Sequence, residues 1–346
     1  MAKRTGEALG YTDLMRIVTV LALIILFLAQ GGAAASGGAE WQVFHTYEGF
    51  TRWAVPGLVM LCGAFALERG DSLRGALLEL LLPAAIALVV WSAVYGMAEE
   101  LLSGGRFTLA GLWGHIVDSA LGNTLSHLWI LYILLGLYLV TPILGRFAVS
   151  ADRGEILYFI ALALVFGGVL PIWEALQPGS FWVGLLNRLH VHAVVCYAGC
   201  YMAGYYFRTF VISRITEIII YVLGIAGLAV TFLGSRVFGG GWELWFGFTA
   251  PNVTLTAIAF FVLFRYVLGI SEERSRRQTM HRLGSVALGI YLIHQIFALV
   301  FRHFGITVFS LPAVASVPLL ALAFFALSTP FAFLRGLLPW VKRGAL

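Results

Sequence analysis

Apolar runs long enough to cross a lipid bilayer recur along this whole sequence, and that recurrence dictates the fold class. About 30 Å of hydrocarbon takes about 20 helical residues to span, and a segment in lipid must satisfy its own backbone hydrogen bonds. Ten such runs are read, at about 15–35, 53–68, 75–97, 126–147, 156–173, 190–207, 214–234, 248–269, 284–303 and 313–334. The chain is 60% apolar and only 11% charged, with a mean hydropathy of +0.92, whereas a soluble domain is about 25% charged. No stretch of soluble character exceeds about 30 residues. The expectation is an all-α integral membrane protein, a bundle of about ten transmembrane helices forming one domain over 1–346.

Charge sets the expected orientation, because cytoplasmic loops collect Lys and Arg. With the N-terminus inside and sides alternating, sixteen basic residues fall on the cytoplasmic side and five outside: Arg52, Arg106, Arg188, Arg236 and Arg302. Arg16 lies within the first span. Both termini are therefore expected in the cytoplasm. A cysteine introduced near Gly240 should react with an impermeant maleimide from outside, and protection there would reverse the orientation. The net charge of +5 needs no nucleic-acid partner, since basic loops beside anionic membrane lipids account for it. Lys3, Arg4, an apolar core and AQGGAAASGGA resemble a cleaved leader, but Glu7, Asp13 and Arg16 make the segment before the core too long and too charged for one.

Within this oily chain the few ionisable side chains gather toward one face. His127 opens the fourth span, Arg188, His190 and His192 open the sixth, Arg52 opens the second, and His294 lies midway along the ninth. Burying such groups in hydrocarbon costs about 2.5–3.5 kcal/mol each on insertion scales, so the cluster points to a polar chamber. His127 reads as a general base at the chamber mouth, for which imidazole chemistry is suited, or as an anchor in an aromatic belt with Trp129 and Tyr132. Tyr291, His294 and Gln295 share a helix face at i, i+3 and i+4, either as site residues or as a satisfied interhelix hydrogen bond. Arg188 and His192 share a face and suit a substrate phosphate or carboxylate, or simply end a solvated loop. Arg16 can attract an anionic ligand or pair with Asp13. Cys196 and Cys200 sit at i,i+4 but lack the further ligands a zinc site needs. Pro56, Pro83, Pro142, Pro171 and Pro251 are expected to interrupt spans, and LAGLWGHIVDSALG to form an interfacial helix. No P-loop, nucleophile elbow, HExxH or dinucleotide fingerprint occurs. For an enzyme, direct transfer assisted by histidine fits best.

The blocks HLWILYILLGLYLVTPIL and LGIYLIHQIF, with YTDLMRIVTVLALIILF, RWAVPGLVMLCGAFAL and PNVTLTAIAFFVLF, resemble the membrane acyltransferase-3 family nearly end to end. The resemblance implies a bacterial inner-membrane protein of about ten spans. It implies transfer of an acyl group, often acetyl, from cytoplasmic acyl-CoA (acetyl-CoA) to a hydroxyl of a cell-envelope glycan or lipid-linked sugar. Acyl-CoA is then a donor substrate, and no permanently bound cofactor is implied. His127 and His294 would be catalytic, Arg16 would draw the CoA phosphates, and Arg52, Trp129, Tyr132, Arg188, His192, Tyr291 and Gln295 would line the substrate site. In the family's first span an arginine is followed, eleven positions on, by a histidine. Arg16 matches the first, and Phe27 stands at the second. Cys62 replaces a usual serine. Phe27 keeps two other readings open: transport or flipping of a polar envelope metabolite, and a non-catalytic partner in an export complex.

Overall fold

The computed structural model describes residues 10–69, 72–105, 108–120, 127–180, 191–268 and 278–335. Among them the regular elements are all helical. Besides a single turn at Trp242–Trp245 they are α1 (Gly10–Ala34), α2 (Gly38–Thr51), α3 (Ala54–Arg69), α4 (Leu73–Leu102), α5 (Leu109–Ala120), α6 (Trp129–Ser150), α7 (Arg153–Leu176), α8 (Val191–Thr209), α9 (Arg214–Val237), α10 (Pro251–Leu268), α11 (Gln278–His303) and α12 (Ala313–Arg335). Nine segments of the described residues are long and apolar enough to cross a membrane, α2 and α3 counting as one. The tenth expected span, 190–207, is the helix α8, which falls outside those nine. Its Tyr197, Tyr201, Tyr205, Tyr206 and Arg208 dilute its apolar character. The segment before the second expected span is itself a helix, α2, which the sequence reading did not anticipate.

The prolines show how the backbone accommodates a missing N–H. Pro83 and Pro171 each stand two residues after a π-helical stretch, Ala76–Leu81 and Val165–Val169. A widened turn relieves the clash between a proline ring and the carbonyl four residues back. Pro142 lies inside α6. Pro56 and Pro251 do not interrupt helices, contrary to expectation: they sit in the first turns of α3 and α10, where the N–H has no helical partner to lose.

Contacts divide the chain into two units. Unit one comprises Met1–Thr19, Arg52–Ala76 and Val140–His281; unit two comprises Val20–Thr51, Leu77–Leu139 and Arg282–Leu346. Unit one is built on the seam between α3 and α8. A Cβ on Gly63 would lie 1.8 Å from the Tyr201 carbonyl oxygen, and one on Gly204 would lie 1.8 Å from that of Met60. Two glycines thus let the two backbones touch, the small-residue contact by which helices associate in lipid. α8 also packs on α7, and α9 on α10. In unit two, Phe44 of α2 is fully buried with Ala313 and Val317 of α12, backed by Ile25 and Leu28 of α1. α5, the expected interfacial segment, is a helix packed on α4; there His115 lies against Gly96 and 3.6 Å from Glu100.

Candidate active site

Unit two brings both sequence-selected histidines to one place. His127 stands just before α6, and His294 belongs to α11; their rings lie 5.4 Å apart, nearly perpendicular. Three aromatic rings wall them. Tyr95 of α4 meets the His127 ring edge-on at 4.8 Å, Tyr291 of α11 lies 6.0 Å from it, and Phe27 of α1 lies 6.4 Å from it. Phe27 also sits 6.3 Å from Tyr291. The phenol groups lock the frame. Tyr291 donates its hydroxyl to the His127 carbonyl, and Tyr95 donates to the Leu292 carbonyl. Tyr291 and His294 are one turn apart on α11, so one helix face supplies both the lock and an imidazole.

Hydrogen bonding fixes the tautomer of His294. Its Nδ1 bonds the Tyr291 carbonyl, and a carbonyl can only accept, so Nδ1 carries the proton. In the neutral ring Nε2 then holds a lone pair. Among the described residues Nε2 of His294 and both ring nitrogens of His127 have no hydrogen-bond partner. Leaving a buried polar group unsatisfied costs about 1–3 kcal/mol, and a fold with no task for these groups has no reason to keep them. His127 is 0% exposed and His294 1%. His127 therefore does not sit at a chamber mouth, as the sequence implied; the helix-start position that placed it there is enclosed by α1, α4 and α11. What results is an aromatic box holding two imidazoles that can pass a proton to or from an entering hydroxyl.

The other candidates divide. Trp129 and Tyr132 on α6 and Gln295 on α11 are half-buried in unit two. Arg16 and Arg52 belong to unit one. Arg16 pairs with Asp13 at 3.3 Å, but Asp13 also takes Nδ1 of His281 at 2.9 Å, so its carboxylate is shared. The Arg16 guanidinium lies 4.9 Å from the Phe65 ring centroid. Arg52 donates through Nε to the Phe246 carbonyl and lies 4.1 Å from the Phe248 ring centroid, an aromatic seat for its charge. Arg188 lies outside the described residues, as does the side chain of His192.

Two features escaped the sequence reading. Tyr95 gave no signal, because a tyrosine in an apolar span is unremarkable. The second lies on α2, where Glu48 is 4% exposed, accepts from Nε2 of Gln30 at 3.3 Å and lies 3.9 Å from Nδ1 of His45. His45 in turn stacks on Trp41 at 4.4 Å. The spacing of Trp41, Phe44 and Tyr47 by three was the available sign of a buried helical face.

Among known proteins, the model of the acyltransferase-3 family, described as an acyltransferase domain, matches residues 9–334. No curated protein and no solved structure matches the chain significantly.

Proposed function

Because the chain belongs to the acyltransferase-3 family of membrane acyltransferases, we propose that it moves an acyl group, acetyl in the simplest case, from cytoplasmic acyl-CoA to a hydroxyl of a cell-envelope glycan or lipid-linked sugar. The membrane is then the bacterial inner membrane, with both termini in the cytoplasm as the sixteen-to-five charge count favours. The observation that carries the reading is the buried pair of histidines, three of whose ring nitrogens have no hydrogen-bond partner among the described residues.

In this reading an imidazole nitrogen takes the proton of the acceptor hydroxyl as its oxygen attacks the thioester carbonyl. The C–S bond then breaks, and the imidazolium returns the proton to the departing thiolate, leaving an ester and free CoA. His127 acts as the base and His294, held by the Tyr291 carbonyl, as its positioned neighbour. General-base assistance of this kind is worth about 10²–10⁴ in rate. Phe27 fills one wall of the box, so no third imidazole is drawn into the scheme from α1.

Arg16 serves the donor. In membrane vesicles supplied with acetyl-CoA and envelope glycan, release of free thiol should follow ester formation one for one. Arg16→Gln should raise the KM for acetyl-CoA about tenfold, the loss expected for a charge-assisted contact to phosphate, while Asp13→Asn should be mild. Equal losses of folded protein from both changes would show instead that the pair is structural.

A further inference from the structure

Glu48 is a buried acid that the transfer scheme does not use. It is 4% exposed on α2, in an apolar protein where ionisable groups are expensive and mark functional places. Each carboxylate oxygen faces a polar neighbour. Nε2 of Gln30, on α1, donates to Oε1 at 3.3 Å, and Nδ1 of His45, one turn back on α2, lies 3.9 Å from Oε2. The His45 ring stacks on Trp41 with centroids 4.4 Å apart and planes at 14°. α2 itself is pinned in place. Phe44 meets the Phe309 ring at 5.6 Å, and the Tyr47 hydroxyl donates to the Val314 carbonyl of α12 at 2.7 Å. Packing alone does not call for an acid here, since leucine fills such a place without the cost of desolvating a charge.

The cluster adjoins the histidine box through α1. Gln30 follows Phe27 by three residues, one turn on along the same face. The Phe27 ring lies 6.4 Å from His127 and 6.3 Å from Tyr291. All of these residues belong to unit two. Gln30 also stands in the last turn of α1 (Gly10–Ala34). In the orientation proposed above, the amide and the carboxylate therefore lie outward of the box, on the side from which an envelope acceptor comes.

The side-chain chemistry selects the ligand. An ionised carboxylate only accepts, at about four lone-pair sites, whereas a primary amide both donates and accepts. With Nε2 of Gln30 turned to the carboxylate, its Oε1 faces away and can accept as well. Acceptors grouped in this way suit the hydroxyls of a sugar. The same carboxylate repels a phosphate or a second carboxylate, because like charges in a weakly screened site oppose each other strongly. The donor nucleotide and acidic sugars are thereby disfavoured. Trp41 and His45 add aromatic surface beside the acid, of the kind on which the C–H face of a sugar ring packs.

We propose that Glu48, oriented by Gln30, forms a sugar clasp that accepts hydrogen bonds from an uncharged acceptor sugar and keeps anionic sugars from the histidine box. This names the acceptor class for the function proposed above and rests on that reading.

The test uses glycan fragments released from the envelope of a deletion strain and divided by anion exchange into neutral and acidic pools. Each pool is offered to the full chain in nanodiscs, for the wild type, Glu48→Gln, Glu48→Asp and Gln30→Met. Calorimetry reads binding, and ester formation from acetyl-CoA reads transfer. The wild type should bind and acetylate the neutral pool in preference to the acidic one. Glu48→Gln should raise the KM for the neutral pool about tenfold, as expected when a hydrogen bond to a charged group becomes one to a neutral group. The KM for acetyl-CoA should stay unchanged, and the preference for neutral over acidic fragments should narrow. Glu48→Asp, with the charge on a shorter arm, should fall between. Should Glu48→Gln not fold, Gln30→Met, which removes the amide and keeps the length, should still weaken the neutral pool several-fold and spare acetyl-CoA. A wild-type preference for the acidic pool, an unchanged KM for the neutral pool in the folded variants, or equal rises in both KM values would overturn the clasp and leave transfer standing. Binding of neither pool by the wild type would overturn it too. Glu48-dependent binding of the neutral pool without any ester formed would leave the clasp standing and remove the proposed function.

Discussion

His127→Ala should reduce acyl-transfer turnover by about 10²–10⁴ at saturating donor, the usual worth of general-base assistance, with CoA binding unchanged. The effect on chemistry should be large because the imidazole has no other visible employment. Neither ring nitrogen bonds a neighbour among the described residues; only the main chain of His127 does, accepting from Tyr291, and alanine retains that carbonyl. His294→Ala should behave differently. It removes the Nδ1 bond to the Tyr291 carbonyl, worth about 0.5–1.5 kcal/mol net, and leaves a cavity where a fully buried ring stood, so stability should fall together with turnover. Full turnover in His127→Ala would move the base to His294, whose tautomer already leaves Nε2 with a lone pair. Loss of folded protein in His127→Ala, rescued by His127→Gln without activity, would still separate packing from chemistry.

Gly63→Val and Gly204→Val should each abolish or severely reduce folded protein in the membrane. Added Cβ atoms at these positions would stand 1.8 Å from backbone carbonyl oxygens across the seam. A carbonyl on a helix cannot swing aside as a flexible side chain can, so α3 and α8 must separate. Overpacking of a tight core costs about 1–3 kcal/mol where neighbours can yield, and here the clash is with backbone on both sides. Helix propensity argues the opposite way but weakly, since replacing a helical glycine by valine is worth only about 0.3–0.5 kcal/mol. The steric effect should win, as the contact is well inside van der Waals distance. Gly136→Ala is the control, with nothing within 4 Å of its added Cβ. A thermal midpoint in detergent unchanged by Gly63→Val would contradict this account of the seam.

The fold class was legible because bilayer thickness imposes a length on every apolar run, and that length survives without knowledge of tertiary contacts. The departures occur where helices are not uniformly apolar. α2 carries Gln42, His45 and Glu48, so hydropathy alone did not find it, although it buries Phe44 and Glu48. α8 was found as a run, but its tyrosines bury against neighbouring helices and leave it poorer in apolar groups than a lipid-facing span. Tyr201 and Tyr205 are almost fully buried, and Thr141 of α6 bonds the Tyr201 hydroxyl at 3.0 Å.

The site was legible in part, for a related reason. Histidine is expensive in hydrocarbon, so His127 and His294 stood out singly; nothing local in the sequence says that segments so far apart bring their rings together. What the sequence could not give for His127 was its enclosure, since position along a span gives height in the membrane and not burial by other helices. Tyr95 and the α2 cluster of Glu48, His45 and Gln30 were invisible because each depends on a partner from another helix.

The central claim is that this chain esterifies a hydroxyl of the cell envelope and needs His127 to do so. Mass spectrometry of envelope glycans tests it most directly, comparing a deletion strain with strains complemented by the wild type and by His127→Ala at matched protein levels. The wild type should restore an acyl-sized mass increment on glycan fragments, and His127→Ala should not. Identical glycan masses in the deletion and wild-type strains, with the protein present and folded, would contradict the account and favour transport of an envelope metabolite without chemistry.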